Sequence, residues 1–262
     1  METGKIKIEP KFFHLAFDYA NYALFNELLA KVDETKYKNN EKLSILYRFY
    51  HAMNNYPDKF DMLFDSYKTT IDRLHINLNG SYWNNNAVTK CLQFMDGYYA
   101  TMHGLSGNFK QVFNYLLSRS DVDINKKCRK YGFPALQTYI IGQEEKQLNM
   151  GIVNALLNKG AKINACDSKG NNVLHYVIKS CFIKENVFNW LLFSSGINIE
   201  KKNKEGKTPL DVAEEEIVEE TKAYDKAVKD PSPYWLYKPT KERIELATKT
   251  RDLIKARILG GI

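Results

Sequence analysis

Apolar residues recur at helical spacing along most of this chain, in pairs of segments that polar stretches separate. A spacing of three or four positions places side chains on one face of an α-helix. One such pair fills residues 41–68, with apolar positions at Leu43, Leu46, Tyr47, Tyr50, Phe60, Leu63 and Phe64. Proline at the first position of a helix loses no hydrogen bond, so Pro57-Asp58 predicts the start of the second helix. The pattern indicates a chain built from helix pairs.

The segments around this pair continue the alternation of helix and loop. Residues 11–33 read as a first helix pair. Residues 71–86, which are rich in asparagine and include Gly80, predict an extended finger or loop. Helical patterning returns over 88–99 and again over 107–117.

The C-terminal part carries an acidic run and a final helix. Glutamates at positions 214, 215, 216, 219 and 220 predict a helix that reaches Lys229, before Asp230-Pro231-Ser232-Pro233 breaks it. That run is either a solvated helix face or a patch for a basic partner, and Tyr234-Trp235-Leu236-Tyr237 is either a buried cap or a docking peptide. Pro239-Thr240 starts the last helix. We expect this helix to cover the open end of the stack of helix pairs with one face, formed by Ile244, Ala247, Ile254 and Ile258.

One phrase recurs three times in the second half of the chain. Gly170-Asn171-Asn172-Val173-Leu174-His175 and Gly206-Lys207-Thr208-Pro209-Leu210-Asp211 stand 36 residues apart, and Gly132-Phe133-Pro134-Ala135-Leu136-Gln137 lies 38 residues before the former. Between the copies lie the pairs Leu156-Leu157 and Leu191-Leu192. A period in the thirties predicts a solenoid of stacked helix pairs.

These residues resemble the ankyrin repeat, whose pattern runs Gly-x-Thr-Pro-Leu-His, then Leu-Leu, then Gly-Ala-Asp-Val-Asn. The resemblance implies an all-α solenoid of about six helix-turn-helix repeats with short hairpin fingers, closed by a C-terminal helical cap. We expect a solenoid over residues 1–230, with clear repeats over 107–213 and divergent repeats over 11–106. A linker and the capping helix would occupy 231–262.

The repeat register assigns backbone and core roles. The glycines that open the three copies are predicted to adopt positive φ or to allow close backbone approach. Thr208-Pro209 predicts a helix start, because the hydroxyl can cap free N–H groups and proline suits the first position. Leu174 and Leu210 are predicted to be buried between adjacent repeats, since no repeat can bury its apolar face alone.

Composition favours a folded protein of the reducing cytosol. The 262 residues are 44% hydrophobic and 26% charged, and contain no apolar run long enough to span a membrane. Residues 1–8 lack the apolar core of a signal peptide. The four cysteines, Cys91, Cys128, Cys166 and Cys181, form no Cys-x-x-Cys pair, which argues against zinc and a disulfide framework. We therefore expect a cytoplasmic monomer with free thiols.

Candidate catalytic residues are few. His14 and His175 occupy the histidine slot of the repeat, where the resemblance implies a ring that hydrogen-bonds backbone near the turn. Without metal-ligand partners at suitable spacing, surface positions are expected for His51, His75 and His103. Cys128 and Cys166 fall on predicted fingers and should be exposed, with no histidine base beside them. Phosphate-loop, dinucleotide, zinc-protease and nucleophile-elbow motifs are absent, so no cofactor, metal or catalytic site is predicted.

Charge placement gives the sharpest functional prediction. The net charge is +7, and the predicted fingers over 126–131, 165–169 and 200–205 carry eight cations against three anions. Fingers of a solenoid lie side by side, so their charges would merge into one ridge that steers an acidic partner. The predicted partner-binding residues are Lys126, Lys127, Arg129, Lys130, Tyr131, Lys169, Lys201, Lys202 and Lys204.

The resemblance implies non-catalytic binding of a partner protein through finger tips and first helices. The Asn-, Lys- and Tyr-rich composition and the divergent repeats also resemble ankyrin effectors that intracellular pathogens deliver into host cytoplasm. Two alternatives stay open at this point. One is a binder of nucleic acid or another acidic surface through the basic fingers, which is less favoured than protein binding. The other is an enzyme with an unrecognised site.

Overall fold

The computed structural model is a set of α-helices joined by short loops. It describes residues 6–96, 106–128, 132–143, 148–179, 185–193, 195–229 and 240–260. Within these ranges the only extended pairings are two isolated β-bridges, Ile6 with Val32 and Tyr82 with Asn85. The chain divides into two compact units, Met1–Lys130 and Tyr131–Ile262. The predicted all-α fold is confirmed.

The first unit consists of helix pairs. The helices among its described residues are α1 (Pro10–Asp18), α2 (Tyr22–Lys31), α3 (Asn39–Asn55), α4 (Phe60–Arg73), α5 (Ala87–Asp96) and α6 (Ser106–Ser118). Helix α3 packs against α1, α4 and α5, and α5 packs against α6. A 3₁₀ turn over Pro57–Lys59 leads into α4, as the proline predicted. Helix α4 runs three residues into the segment predicted as a loop, because Thr70 and Ile71 are buried on its packed face.

The core of the first unit is aromatic. The ring of Phe17 lies 4.8 Å from that of Phe25 and 4.6 Å from that of Phe49, measured between centroids. Tyr50 and Tyr67 are fully buried, with their hydroxyl oxygens 3.0 Å apart. Large rings here fill space that small residues and leucines fill in a regular repeat. This packing explains why the first half of the chain departs from the repeat pattern.

The second unit continues the helix pairs with a mainly aliphatic core. Its helices are α7 (Ala135–Ile141), α8 (Met150–Asn158), α9 (Val173–Lys179), α10 (Glu185–Phe193), α11 (Pro209–Lys229) and α12 (Lys241–Ile258). Helix α9 packs against α7 on one side and α11 on the other, and Leu174 is 0% exposed. Leu210 is only half-buried, so its prediction is wrong in degree. The described residues contain no further repeat beyond α11 that would cover it.

The acidic run belongs to the same helix as the last repeat. Helix α11 starts at Pro209, where the backbone N–H of Asp211 donates to the Thr208 hydroxyl at 3.2 Å, and continues unbroken to Lys229. Three of its carboxylates form ion pairs: Glu214 with Lys255 at 2.8 Å, Glu215 with Lys207 at 2.8 Å, and Glu220 with Arg243 at 2.6 Å. Much of the run is therefore committed to contacts within the chain.

Helix α12 packs mainly on α11 and also on α10. Ile254 is 0% exposed, whereas Ile258 is 37% exposed and Ile244 and Ala247 are half-buried. The predicted apolar face is thus buried only in part, and ion pairs of α12 with α11 supply another part of the contact. In the portion of the chain that is described, no helix has the length and apolar character needed to cross a bilayer.

Candidate functional site

The two described fingers of the second unit have the same turn chemistry. In the finger over residues 165–169, Asp167 N donates to Asn171 O at 2.9 Å. The Asp167 carboxylate accepts from Lys169 N and Asn171 N, both at 2.8 Å. In the finger over residues 200–205, Asn203 N donates to Lys207 O at 2.9 Å, and the Asn203 side chain accepts from the N–H groups of residues 205 and 207. Side chains of Asp and Asn thus fix both hairpin tips.

These two fingers are joined directly. Lys204 N donates to Lys169 O at 2.8 Å, and the Asn203 side-chain amide donates to Asn171 Oδ1 at 2.8 Å. Gly170 lies between them with φ +82°, and a Cβ there would be 3.1 Å from Lys204 N. Only glycine accommodates both the conformation and the approach. The positive φ predicted for Gly132, Gly170 and Gly206 is confirmed.

Asparagine side chains also link the segments that lead into successive fingers. The amide of Asn164 donates to Gly196 O at 3.3 Å, and its oxygen accepts from Asn198 N at 2.6 Å. In the first unit Asn79 makes the equivalent pair with the backbone of Asp121 and Asp123, both at 2.7 Å. Part of the asparagine content therefore holds the fingers in register.

We expect Asn164→Ala to lower the free energy of unfolding by about 1 kcal/mol, because two hydrogen bonds at an exposed site are lost. The matched control is Asn154→Ala, which changes an exposed residue of α8 and should stay within about 0.5 kcal/mol of the wild type. Urea denaturation followed by circular dichroism measures both. Equal midpoints for the two variants would show that this link contributes nothing to stability.

The second-unit fingers present a cationic surface. Lys169, Lys201, Lys202 and Lys204 are all exposed, and none of them pairs with a carboxylate among the residues described. Of the nearby anions, Asp167 is buried and accepts hydrogen bonds from its own turn and from the Tyr176 hydroxyl, Glu205 pairs with Lys207 at 3.2 Å, and Glu200 is exposed. These tips therefore keep an excess of positive charge that is available to a partner.

The finger of the first unit is only partly described. Lys126 and Lys127 are exposed, while Arg129, Lys130 and Tyr131 lie outside the described residues. Cys128 is 2% exposed, so the prediction that it lies exposed on a finger is wrong. It is buried like Val122 and Ile124 earlier in the same segment, as suits a thiol that packs as a small apolar group. Cys166 is half-buried and Cys181 lies outside the described residues.

Trp83, which the repeat pattern does not single out, stands on the preceding finger and is 79% exposed. That finger is bonded to the Lys126 finger, since the Asn86 amide donates to Lys126 O at 3.4 Å. An aromatic side chain thus stands on the finger next to Lys126 and Lys127. The only available sequence signal was a tryptophan in a run of asparagines, Asn84-Asn85-Asn86.

The histidines have structural surroundings. His175 Nε2 donates to Lys207 O at 3.2 Å, which confirms its predicted role, and burial lowers its pKa. His14 is half-buried with its pKa lowered by burial, although its Nε2 has no hydrogen-bond partner in the described portion. His51 was expected at the surface but packs edge-on against Phe94 at 5.0 Å. Burial first, and then the Lys90 charge, lower the pKa of His51 to about 4.

The remaining thiol and histidine candidates are Cys91, His75 and His103. The Cys91 thiol is fully buried against Phe109 O, and burial raises its pKa, which disfavours the reactive thiolate. Across the described ranges no three His, Cys, Asp or Glu side chains are grouped to hold a metal ion. His75 is exposed, and His103 lies outside the described ranges.

Comparisons with known proteins agree with this architecture. Residues 98–203 match the family model described as ankyrin repeats (3 copies). Among solved structures, the chain is similar to EF0377, an ankyrin repeat protein, with 17% identity, a TM-score of 0.51 and coverage of 80% of this chain and 93% of that one. The ankyrin repeat domain of Bcl-3, a member of the IkappaB family, gives 18% identity, a TM-score of 0.46 and coverage of 76% and 92%. A search of curated protein sequences gave no match.

Proposed function

We propose, from the match of residues 98–203 to ankyrin repeats, that the basic fingers of this chain bind an acidic segment of a partner protein. Ankyrin repeats are generally protein–protein interaction modules. The observation that carries the proposal is the set of exposed lysines on the second-unit fingers without an ion pair among the described residues: Lys169, Lys201, Lys202 and Lys204. In the first unit, taken by itself, Lys126 and Lys127 are likewise exposed on a finger. We include Arg129, Lys130 and Tyr131 among the partner-binding residues on the sequence alone.

The arrangement favours capture of an extended anionic segment. Lys169 and Lys204 stand on fingers whose backbones are hydrogen-bonded to each other, so their charges are held side by side. A cluster of like charges raises the local potential and speeds the encounter with an oppositely charged partner, an effect that salt weakens. The adjacent carboxylates do not cancel it, because Glu205 and Glu215 pair with Lys207, and the exposed Glu200 stands against four lysines on the second-unit fingers.

We further propose that the protein acts without catalysis, as a monomer in the cytoplasm. The match to ankyrin repeats, which are typically non-catalytic binding domains, supports the first point. Delivery into a host cell as an effector is the most specific form of the proposal, and it is supported by composition and repeat divergence. Light scattering on the purified chain tests the monomer, and localisation of the tagged protein tests the compartment.

The lysine surface is tested by selecting a phage-displayed library of random dodecapeptides on the wild type and on a reversed variant. That variant carries Lys127→Glu, Lys169→Glu and Lys202→Glu, one change on each finger. We expect the wild type to enrich acidic peptides, and the reversal to weaken the best peptide about tenfold or more, mainly through slower association. Binding should also fall between about 50 and about 300 mM salt.

The matched control reverses three exposed lysines away from the fingers, Lys110→Glu, Lys222→Glu and Lys241→Glu, and so changes net charge equally. It should bind the selected peptide within about threefold of the wild type, since scattered surface charges add little. If both variants lost affinity for the peptide equally, net charge alone would explain the loss, and the proposal would be overturned. Peptide pools without acidic enrichment, together with salt-sensitive binding of random duplex DNA, would favour the nucleic-acid alternative.

A further inference from the structure

The finger that precedes Lys126 ends in a tight hairpin turn. Tyr82 N donates to Asn85 O at 2.9 Å, and Asn85 N donates back to Tyr82 O at 3.1 Å. The two residues between them, Trp83 and Asn84, have φ of +48° and +66°. Positive φ at both central positions defines a type I′ turn, for which Asn-Gly is the favoured sequence. Tryptophan is therefore a poor choice for the conformation it adopts here.

The strained turn holds the indole out in solvent. Trp83 is 79% exposed, so it contributes little to the core, and its conformation costs more than that of asparagine or glycine. Strain without a packing benefit is a reason to look for function at that residue. Large exposed aromatic side chains on rigid turns also provide contact area at low cost in conformational entropy.

The base of the turn is held by a ring contact and a hydrogen bond. The ring of Tyr82 packs against Tyr47 at 5.6 Å between centroids, and the Tyr47 hydroxyl donates to Asn85 O at 2.9 Å. Tyr47 itself is 5% exposed. The tip is thus fastened to helix α3, so the backbone that carries Trp83 needs little ordering when a partner binds.

The neighbouring finger supplies the charge. Asn79 bonds to the backbone of Asp121 and Asp123, and Asn86 bonds to Lys126 O, so the two fingers run side by side. Lys126 and Lys127 are exposed on that second finger. A partner segment that crosses both tips would meet an indole and two ammonium groups.

We propose that Trp83 is the anchor residue of the partner surface, and that the partner segment combines acidic residues with a large apolar side chain. The carboxylates would face Lys126 and Lys127, and the apolar group would pack on the indole. Tryptophan is enriched among the few interface residues that dominate binding energy. This inference rests on the proposed function and deepens it, since it names the chemistry of the same partner.

Two variants separate the indole from the turn. Trp83→Asn removes the ring and installs a residue that suits positive φ, whereas Asn84→Gly keeps the ring and relaxes the turn. Both should melt at or above the wild-type temperature, which shows that the fold is intact. We expect Trp83→Asn to weaken the best acidic dodecapeptide selected on the wild type by about tenfold or more. Asn84→Gly should bind it within about twofold.

Repeating the dodecapeptide selection on Trp83→Asn tests the partner chemistry. The wild-type pool should be enriched in both acidic and large apolar residues, and the Trp83→Asn pool should keep the acidic residues and lose the apolar ones. If Trp83→Asn leaves pool and affinity unchanged while the lysine reversal abolishes acidic selection, the anchor role is wrong and the proposed function stands. If the lysine reversal has no effect, the proposed function fails, whatever Trp83→Asn does.

Discussion

We expect Leu174→Ala to lower the free energy of unfolding by about 2–5 kcal/mol, since truncating a buried leucine removes apolar contacts and leaves a cavity. Leu174 is 0% exposed, and its helix α9 packs against both α7 and α11. The cavity would open between repeats, where stability depends on each unit burying its neighbour. Urea denaturation measures the loss.

Leu210→Ala is the matched comparison, because Leu210 holds the same place in the repeat pattern but is only half-buried. It should cost less, about 1–2 kcal/mol, since a half-exposed leucine buries less apolar area. The difference between the two variants measures how much a succeeding repeat contributes to burial. Equal losses, or a Leu174→Ala variant as stable as the wild type, would contradict the proposed packing of α9.

The repeat register could be predicted because its constraints are local. Gly170 requires positive φ and lets the next finger approach, and the Thr208 hydroxyl caps a helix that starts at Pro209. Glycine, proline and capping residues carry such requirements within a few positions of the chain. The helix pairs of the first half were predicted for a related reason, since their apolar periodicity persists although the side chains are aromatic.

Features that depend on distant neighbours could not be read in the same way. The glutamates of α11 gave two open interpretations, and the ion pairs with Lys255 and Arg243 depend on how α12 packs. The exposure of Leu210 depends on which element packs next to the last repeat. The linking role of Asn164 also needs the next finger in place, because both of its partners are backbone groups more than 30 residues away.

Some features of the candidate surface could also be predicted from local sequence, and others could not. Exposure of Lys126, Lys169 and Lys202 was predictable, because charged residues at hairpin tips have no core to enter. The burial of Cys128 was missed, although cysteine is among the residue types most often buried. The turn that exposes Trp83 could not be predicted, because a turn with positive φ at both central residues usually contains glycine.

Ile254→Asp is expected to release helix α12 from the last repeat. Ile254 is 0% exposed in the contact of α12 with α11 and α10. A carboxylate placed there would replace an apolar side chain at a site that is packed for an apolar group. Burying an unpaired charge costs several kcal/mol, about 3–5 in the typical case of a broken buried pair. Release would bare the faces of α10 and α11 that α12 covers, so we expect a lower melting temperature and concentration-dependent aggregation in gel filtration.

Limited proteolysis shows whether the helix itself comes free. Arg251, Lys255 and Arg257 lie on α12, and trypsin should cut there early in Ile254→Asp but late in the wild type, where the helix is packed. Leu259→Asp is the control, because it adds the same charge at a residue that is 83% exposed and should change stability by less than about 1 kcal/mol. If Ile254→Asp kept the wild-type melting temperature and cleavage rate, α12 would contribute nothing to covering the last repeat, and the stack would have to be stable with that end open.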